Sequence, residues 1–252
     1  MIRRRRYHHG NLRDALVQAA LALVEERGNP EFTLREVARR VGVTHAAPQR
    51  HFEDRAALVA AVAEEGFHGL RAHVERVARL TGARDPAQRL HALGVAYAQF
   101  AVENPAHFRV MFSAELVDKS RHPSLQAASR AMHDFLVQCI EEGQRQGFFV
   151  EGDPLELAFA AWSLVHGLAV LLIDGRGMGR RPADLIESVV ARLGTGLSPR
   201  TGTKRVPVRQ AVPPRADGDA AAPQPPPRRP RRRARSRRTA PASVPDSGRP
   251  RS

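Results

Sequence analysis

Residues 33–52 read Thr-Leu-Arg-Glu-Val-Ala-Arg-Arg-Val-Gly-Val-Thr-His-Ala-Ala-Pro-Gln-Arg-His-Phe, and this stretch decides the fold. Its apolar residues recur at i, i+3, i+4 and i+7, which predicts one buried helix face made of Leu34, Val37, Ala38 and Val41. Thr33 and Glu36 have the spacing of a capping box, which marks the start of that helix. Gly42 follows the last apolar residue, where the chain needs a left-handed backbone. A second, more polar helix capped by Thr44 then predicts a helix-turn-helix, whose second helix fits the major groove of DNA.

The charge of the chain is concentrated at its two ends. The 252 residues include 40 Lys and Arg and 26 Asp and Glu, a formal net charge of +14. Residues 198–252 carry a net +12 and residues 1–51 a net +5, whereas residues 52–197 carry a net −3. This distribution predicts a polyanion partner at the ends and nowhere else.

The single cysteine and the start of the chain indicate the compartment. Cys139 alone cannot form an intrachain disulfide, which favours a reducing cytoplasm. Met1–Arg6 are basic but run into Tyr-His-His-Gly rather than an apolar stretch, so we do not expect a signal peptide. The expected location is the cytoplasm, at the nucleoid.

Helical periodicity continues along most of the chain, and no segment alternates as a strand does. Further helices are predicted at about 12–28, 54–80, 86–101, 105–112, 124–146, 155–173 and 182–193. The expected fold class is therefore all-α: an N-terminal three-helix helix-turn-helix domain, a larger C-terminal helical bundle and a disordered basic tail. The expected boundaries are a flexible basic arm at 1–10, a DNA-binding domain at 11–70 whose fourth helix continues to about 80, a second domain at 81–197 and the tail at 198–252.

The segment 155–173 is the most apolar of these helices. It is short for a bilayer crossing and is interrupted by Ser163, His166 and Gly167. An apolar helix in a soluble chain is more often buried between neighbours or in a subunit interface, so we expect one of these two and no membrane.

The tail has the composition of a disordered segment. Residues 198–252 hold 12 of the 19 prolines and almost no large apolar side chains. Such a sequence cannot bury enough apolar surface to offset the entropy of ordering.

Four groups of residues resemble the TetR family of transcriptional regulators. Three are Tyr-His-His-Gly-Asn-Leu-Arg at 7–13, Thr-Leu-Arg-Glu-Val-Ala at 33–38, and His-Ala-Ala-Pro with Arg-His-Phe at 45–52. The fourth is Ala-Trp-Ser-Leu-Val-His-Gly-Leu-Ala, in which Trp162, His166 and Gly167 resemble the C-terminal domain of the subgroup named for Trp, His and Gly. The resemblance covers residues 7 to about 197.

The resemblance implies an all-helical homodimer with paired N-terminal DNA-binding domains. Residues 81–197 then form a ligand-binding and dimerisation domain, and ligand binding releases the operator by changing the spacing of the DNA-binding domains. The expected function is a sequence-specific repressor controlled by a small apolar or aromatic effector. Its expected partners are double-stranded DNA with a palindromic operator, a second copy of the chain and the effector. We expect no cofactor.

Family analogy and helix geometry together predict the DNA contacts. The side chains expected to face the groove are Thr44, His45, Ala46, Ala47 and Gln49. The alanine methyl groups suit thymine, whereas His45 and Gln49 are the hydrogen-bonding readers. Thr33, His51 and Arg55 lie at helix ends, which suits phosphate. Arg50 reaches either a base or a phosphate, and for Arg50 and Arg55 a merely solvated side chain is the alternative.

Two features of this region depart from a simple pattern. Relatives usually carry a tyrosine where this chain has Gln49, and that tyrosine commonly touches a phosphate, so operator affinity or preference differs from that of relatives. Pro48 falls near the end of the first turn of the second helix, where it either fixes the angle of that helix or is simply tolerated.

The basic ends allow two interpretations each. The arm residues Arg3, Arg4, Arg5 and Arg6 either enter a narrow minor groove or add only nonspecific attraction. The eight arginines between 228 and 238 are either a tether that raises general DNA affinity by releasing counterions or a solubilising extension.

The C-terminal domain carries the candidate ligand and dimer residues. Trp162 and His166 are four residues apart and share a helix face. The candidate pocket residues are Phe100, Phe108, Met111, Phe112, Met132, Phe135, Trp162 and His166, with plain core packing as the alternative for each. The candidate dimer residues are Leu164, Leu168, Leu171, Leu172, Ile186, Val189, Val190 and Leu193.

Other functional classes have less support. A low-specificity architectural protein that coats DNA through its arm and tail is the main alternative. An enzyme is not expected, because no nucleophile with an adjacent base and no glycine-rich phosphate loop is present. A metal site is not expected either, because His8 and His9 lack further ligands at useful spacing.

Overall fold

The computed structural model describes residues 12–113 and 118–199, and all regular secondary structure in these ranges is helical, without a strand. The helices are α1 (Leu12–Arg27), α2 (Leu34–Val41), α3 (Arg55–Thr81), α4 (Pro86–Glu103), α5 (Pro105–Met111), α6 (Pro123–Arg145), α7 (Pro154–Ile173) and α8 (Pro182–Leu197). Two single 3₁₀ turns, Pro48–Arg50 and Lys119–Arg121, connect them. The all-α prediction is confirmed. The arm Arg3–Arg6 and the arginine-rich part of the tail lie outside the described residues.

Local sequence signals start most of the helices. Every helix from α4 to α8 begins with a proline, whose fixed φ suits the first helical position and whose missing N–H is not needed there. Asp54, Asp85 and Asp153 cap α3, α4 and α7, each accepting a backbone N–H at 2.8 Å. These three predicted helix starts are confirmed.

The end of α8 differs from the prediction. The periodicity predicts a helix ending near Leu193, but α8 continues to Leu197. Leu197 is buried in a small apolar cluster with Leu90, Ile140 and Phe149, and its carbonyl accepts the N–H of Val150 at 2.9 Å. Tertiary packing therefore stabilises an extra turn that contains two glycines and that local propensity alone would not favour.

Helix α4 is the centre of the C-terminal bundle. Its residues 92–98 are all buried, and it packs against α3, α6, α7 and α8. Gly94 allows the closest of these approaches, because a β-carbon at this position would lie 2.9 Å from Cγ1 of Val190 on α8. Val190 is itself buried, so α4 and α8 pack closely at this point.

Helix α7 is buried on one side only. Ala158, Ala161, Val165, Leu168 and Ala169 face α4, α6 and α8, whereas the opposite side exposes Leu155, Phe159, Leu164, Val170 and Leu171. By length and composition the helix could cross a membrane, with a mean hydropathy of 1.8. It packs here as one helix of the bundle, and the expectation that it is buried between neighbours holds for one face only, that of Ala158, Ala161, Val165, Leu168 and Ala169.

Replacing Gly94 with Ala tests the close approach of α4 to α8. The new methyl group would press on Val190, a β-branched residue that cannot rotate away cheaply, so we expect Gly94→Ala to lower the free energy of unfolding by about 1–3 kcal/mol. Gly196→Ala is the matched control, because a β-carbon there meets nothing within 4 Å. This control should be neutral or stabilising by up to ~1 kcal/mol. Urea unfolding measures both, and equal stabilities for the two variants would contradict the close packing.

Candidate DNA-binding segment and ligand cavity

Two ion pairs hold α2 on α1 and so position the helix-turn-helix. Arg40 donates to both carboxylate oxygens of Glu26, at 2.6 and 2.7 Å. Arg27, at the end of α1, donates to Glu36 in the first turn of α2. The predicted capping box is present: the backbone N–H of Thr33 donates to Glu36 Oε2 at 2.8 Å, and that of Glu36 donates to Thr33 Oγ1 at 3.2 Å. Hydrogen bonds from Arg27 and then from Thr33 lower the pKa of Glu36 to about 2.

The glycine turn after α2 is formed as predicted. Gly42 has φ +81°, and its N–H donates to the carbonyl of Ala38 at 3.0 Å. Ala38 is buried where α2 meets the rest of the domain. The chain is therefore redirected at one residue, which brings the following segment to the surface.

The second helix of the motif is shorter than predicted. The sequence predicts a helix beginning at Thr44, but residues 44–47 form a turn and only Pro48–Arg50 form a 3₁₀ helix. Pro48 has no N–H to donate to the Thr44 carbonyl, and the N–H of Ala47 donates to it instead, at 3.0 Å. Pro48 and Phe52 are both buried, so the proline also attaches the segment to the core of the domain.

The predicted DNA-contacting side chains lie mostly on the surface. Ala47 is half-buried beside Pro48, whereas the others around this segment are exposed: Thr33, Thr44, His45, Ala46, Gln49, Arg50 and His51. The motif therefore offers a small, polar and basic surface. The hydroxyl of Thr33 also donates to Glu36 at 2.9 Å.

Arg55 is placed differently from its expected role at phosphate. Its Nη2 donates to the carbonyl of Pro30 at 2.7 Å, and its guanidinium lies 5.3 Å from the centre of the Phe32 ring. Half-buried, it ties the loop between α1 and α2 to the start of α3. The position of Arg55 at the start of α3 does not predict this contact, because its partners Pro30 and Phe32 precede it by more than 20 residues.

A cavity of about 220 Å³ lies within the C-terminal bundle. Helices α3, α4, α6, α7 and α8 all contribute to its wall, together with Phe112 after α5 and Lys119 in the second 3₁₀ turn. The wall is mostly aliphatic and aromatic: Phe67, Leu90, Leu93, Gly94, Tyr97, Phe112, Met132, Leu136, Ala161, Trp162, Val165 and Leu193. Lys119, Ser129 and His133 complete it.

The structure brings only some of the predicted pocket residues to this cavity. Phe112, Met132 and Trp162 line it. Phe100 faces α3, at 6.1 Å from His73, and Met111 fills the space beside Gly66. Both are core residues rather than lining residues.

Phe108, Phe135 and His166 are also outside the lining. Phe108 is buried behind it against Tyr97, at 5.7 Å between ring centres. Phe135 is 44% exposed, because Met132 and Leu136, one turn apart, take the inner face of α6. His166 contacts the wall from behind, through Tyr97.

Tyr97 joins Trp162 and His166 in a hydrogen-bonded group at the wall. Its hydroxyl accepts from Trp162 Nε1 at 3.2 Å and lies 2.9 Å from His166 Nδ1, to which it can donate. Burial lowers the pKa of His166, which favours the neutral ring that accepts this bond. The same ring stacks on Phe108 at 5.3 Å. The hydroxyl, the indole N–H and the imidazole Nδ1 are thus satisfied inside an aromatic cluster.

Lys119 forms the polar end of the cavity. Its Nζ donates to Ser129 Oγ at 3.1 Å and lies 5.0 Å from the centre of the Phe67 ring. Burial lowers the pKa of Lys119. Sequence reasoning missed Lys119 because it lies in a short turn outside the helical periodicity. It missed Phe67 because that residue belongs to the helix assigned to the DNA-binding domain.

The candidate dimer residues divide into two groups. Leu164 and Leu171 are exposed on α7, as an interface requires. Leu168 of α7 and Ile186 and Val190 of α8 are buried inside the protomer, and Leu193 lines the cavity, because α8 turns that face toward α4. The dimer contacts themselves stay a prediction. Leu172 and Val189 are half-buried. Three further apolar residues of α7, which are Leu155, Phe159 and Val170, are exposed.

Metal ligands do not cluster in the described ranges, where no group of three His, Cys, Asp or Glu side chains could hold an ion.

Comparison with known proteins agrees with this geometry. Residues 16–62 match a family described as bacterial regulatory proteins of the tetR family, and residues 90–193 match one described as a tetracyclin repressor-like C-terminal domain. No functionally curated protein matches the chain at a significant level.

Solved structures with the same fold are numerous. A protein of unknown function from Rhodococcus sp. RHA1 is 32% identical over 77% of this chain and all of its own, with a TM-score of 0.67. The TetR family transcriptional regulator PfmR from Thermus thermophilus is 20% identical over 73% of this chain and 99% of its own, with a TM-score of 0.59. A tetR-family regulatory protein from Rhodococcus RHA1 is 20% identical over 75% of this chain and 98% of its own, with a TM-score of 0.60.

An exposed helix-turn-helix followed by a helical domain with an internal cavity defines a ligand-responsive class of DNA-binding protein. The chain belongs to the TetR family of transcriptional regulators. Members of this family bind operator DNA, form dimers and bind small ligands; they are usually repressors and generally not enzymes. The match at 90–193 does not confirm the subgroup named for Trp, His and Gly.

Replacing Glu36 with Gln tests the contacts that position α2. The carboxylate has a pKa near 2 in the folded protein against 4.5 ordinarily, so its stabilising effect is complete above about pH 5 and is lost as the pH falls toward 2. We expect Glu36→Gln to be less stable than the parent at pH 7 and to lose less stability between pH 5 and pH 3. Urea unfolding at both pH values measures this. Glu53→Gln, at an exposed loop position, is the control, and identical acid sensitivity of parent and Glu36→Gln would contradict the assignment.

Proposed function

We propose that this protein is a homodimeric transcriptional repressor that binds a palindromic operator and releases it when a small apolar effector fills the cavity. The observation that carries the proposal is that α3 belongs to both functional parts. It begins at Arg55 beside the recognition segment 44–51 and lines the cavity through Phe67, more than three turns later.

Helix α5 supplies a second connection between the cavity and the DNA-binding half. It packs against α3, α4 and α1, and Phe112 at its end lines the cavity. Phe67 and Phe112 contact each other edge to face, with ring centres 5.7 Å apart. A ligand that displaces this aromatic pair therefore displaces the two helices against which α1 is packed.

The recognition segment supports direct reading of base edges. His45 and Gln49 are exposed and can donate or accept hydrogen bonds in the major groove, and Ala46 is small enough to allow close approach to a thymine methyl. Arg50 and His51 extend the same surface toward phosphate. Because only one 3₁₀ turn follows Pro48, we propose that few base pairs are read by each subunit.

We further propose that the basic ends add affinity without reading much sequence. Arg3–Arg6 in the arm and the arginines at 228–238 are placed at the two ends of a central region with a net negative charge. Such segments gain affinity by releasing counterions from DNA. In the specific repressor they assist the helix-turn-helix, whereas in an architectural protein they would dominate binding.

The interface that we propose for the dimer is the exposed apolar side of α7. Leu164 and Leu171 lie two turns apart on the same helix face and are 41% and 48% exposed. Phe159 and Val170 enlarge the patch. Exposed apolar surface of this kind is typically covered by a partner, and a two-fold axis would place two copies of the patch against each other. Trp162, His166 and Gly167 on the same helix support placing the chain in the Trp-His-Gly subgroup.

A footprint on the promoter region of its own gene tests the DNA-binding proposal. We expect protection of a palindrome, and we expect His45→Ala and Gln49→Ala each to lower affinity for it by roughly 5- to 100-fold, because a good base contact contributes about 1–3 kcal/mol of discrimination. The matched control is His68→Ala, since His68 is exposed on α3 away from the recognition segment.

Two results would contradict this proposal. Uniform, strongly salt-sensitive binding to every duplex, unaffected by either substitution but lost on removal of residues 1–6 and 200–252, would favour the architectural protein. Equal losses in His45→Ala and His68→Ala would show that the substitutions act on folding rather than on contact with DNA.

Charged residues in the α7 patch test the dimer. We expect Leu164→Asp with Leu171→Asp to sediment as a monomer and to lose the footprint, because carboxylates cannot be buried against each other across the two-fold axis. Leu80→Asp is the matched control: Leu80 is 76% exposed at the end of α3 and should leave the dimer intact. A double variant that remains dimeric in analytical ultracentrifugation would exclude this face as the interface.

A further inference from the structure

The cavity wall is asymmetric in charge. Most of its surface is aliphatic or aromatic, whereas one end carries Lys119, Ser129 and His133. Among the described residues that line it there is no carboxylate. The polar end is therefore cationic or neutral, and it faces an otherwise apolar space.

Among the described residues, the contacts of Lys119 are with Ser129 and Phe67, and neither carries a charge that would neutralise its ammonium group. An ammonium has three N–H donors. One of them is used on Ser129 Oγ at 3.1 Å, and the charge lies 5.0 Å from the centre of the Phe67 ring. Both contacts are weaker than a bond to an anion, and a partly desolvated ammonium is stabilised most by an opposite charge.

Ser129 completes an anchor for two oxygen atoms. Its hydroxyl accepts from Lys119 and so keeps its own hydrogen to donate to a ligand. Two adjacent donors, one charged and one neutral, match the two oxygens of a carboxylate. A phosphate monoester would bring up to two charges and three acceptor oxygens, which this single ammonium and the apolar wall do not match.

We propose that the effector is an amphipathic carboxylic acid whose carboxylate binds Lys119 and Ser129 and whose apolar part packs against Phe67, Phe112 and Trp162. This inference rests on the proposed function, because it names the ligand class of the same cavity. The proposed ligand is the unesterified acid in its carboxylate form. Its ester or the corresponding alcohol lacks the carboxylate that Lys119 binds.

The size of the cavity limits the ligand further. At about 220 Å³ it is smaller than the ~300–1000 Å³ typical of sites for drug-sized ligands. It accommodates a medium-chain or single-ring acid. Because the anchor and Trp162 both belong to the wall, the ligand must contact the only tryptophan in the chain.

Trp162 fluorescence provides a direct test with defined probes. The probes are hexanoate, octanoate and decanoate, each with the alcohol of the same chain length, titrated into the full-length protein. We expect each acid that binds to do so at least about tenfold more tightly than its alcohol, since hydrogen bonds to charged groups are the strong ones. Lys119→Met should lower the affinity for the acid to about that for the alcohol, and should change the affinity for the alcohol much less. Lys119→Arg should keep the preference.

Arg121→Met is the control for general positive charge, because Arg121 is exposed in the same 3₁₀ turn and is not part of the wall. It should change nothing. Acid and alcohol of equal affinity, or an acid preference that survives in Lys119→Met, would overturn the carboxylate anchor. If the alcohols still release the operator in that case, the proposed function stands without it. If no probe of any length changes Trp162 fluorescence, the carboxylic acid proposal is wrong, whereas the proposed repressor function is tested separately by the footprint.

Discussion

The contact between α3 and α5 at Gly66 is the constraint on which the rest of the structure depends. A β-carbon on Gly66 would lie 2.7 Å from the sulfur of Met111, so Met111 packs directly on the backbone of α3. Close-packed interiors transmit displacements rather than absorb them. The helix that begins beside the recognition segment is thereby held against the short helix that ends at the cavity. One residue further along the chain from each, Phe67 meets Phe112 in the wall.

The DNA-binding half is held together by many small contacts. Capping of α2, the left-handed Gly42 and the buried Pro48 together leave the recognition segment little freedom. Two cation–π contacts, of Arg55 with Phe32 and of Arg13 with Phe52, add further attachments between loops and helices. A rigid segment loses less entropy on binding than a flexible one, which favours recognition by a surface as short as this one.

The sequence predicts those parts of the structure that depend on neighbours along the chain. The capping box of α2 and the glycine turn after it are of this kind, and the structure confirms both. The predicted length of the second helix is wrong because Pro48 removes the donor that the Thr44 carbonyl would need in a regular helix.

The cavity depends instead on which faces of distant helices meet. Helical periodicity makes Phe100, Phe108 and Trp162 equally good candidates for the cavity wall. Only the packing of the helices against each other places Trp162 in the wall and the two phenylalanines in the core. The burial of Ile186 and Val190 follows from the packing of α8 on the same helix, which Gly94 allows. No pattern within a single helix contains this information.

The central claim is that occupancy of the cavity and binding of the operator are one coupled equilibrium. Linkage requires that the operator lower the affinity of the protein for the effector by the same factor by which the effector lowers its affinity for the operator. The most direct measurement is a titration of octanoate, followed by Trp162 fluorescence, with and without a saturating operator fragment taken from the footprint. The account predicts that the operator lowers the affinity for octanoate, by the factor found in the reverse experiment. An affinity for octanoate that is the same with and without the operator would contradict it.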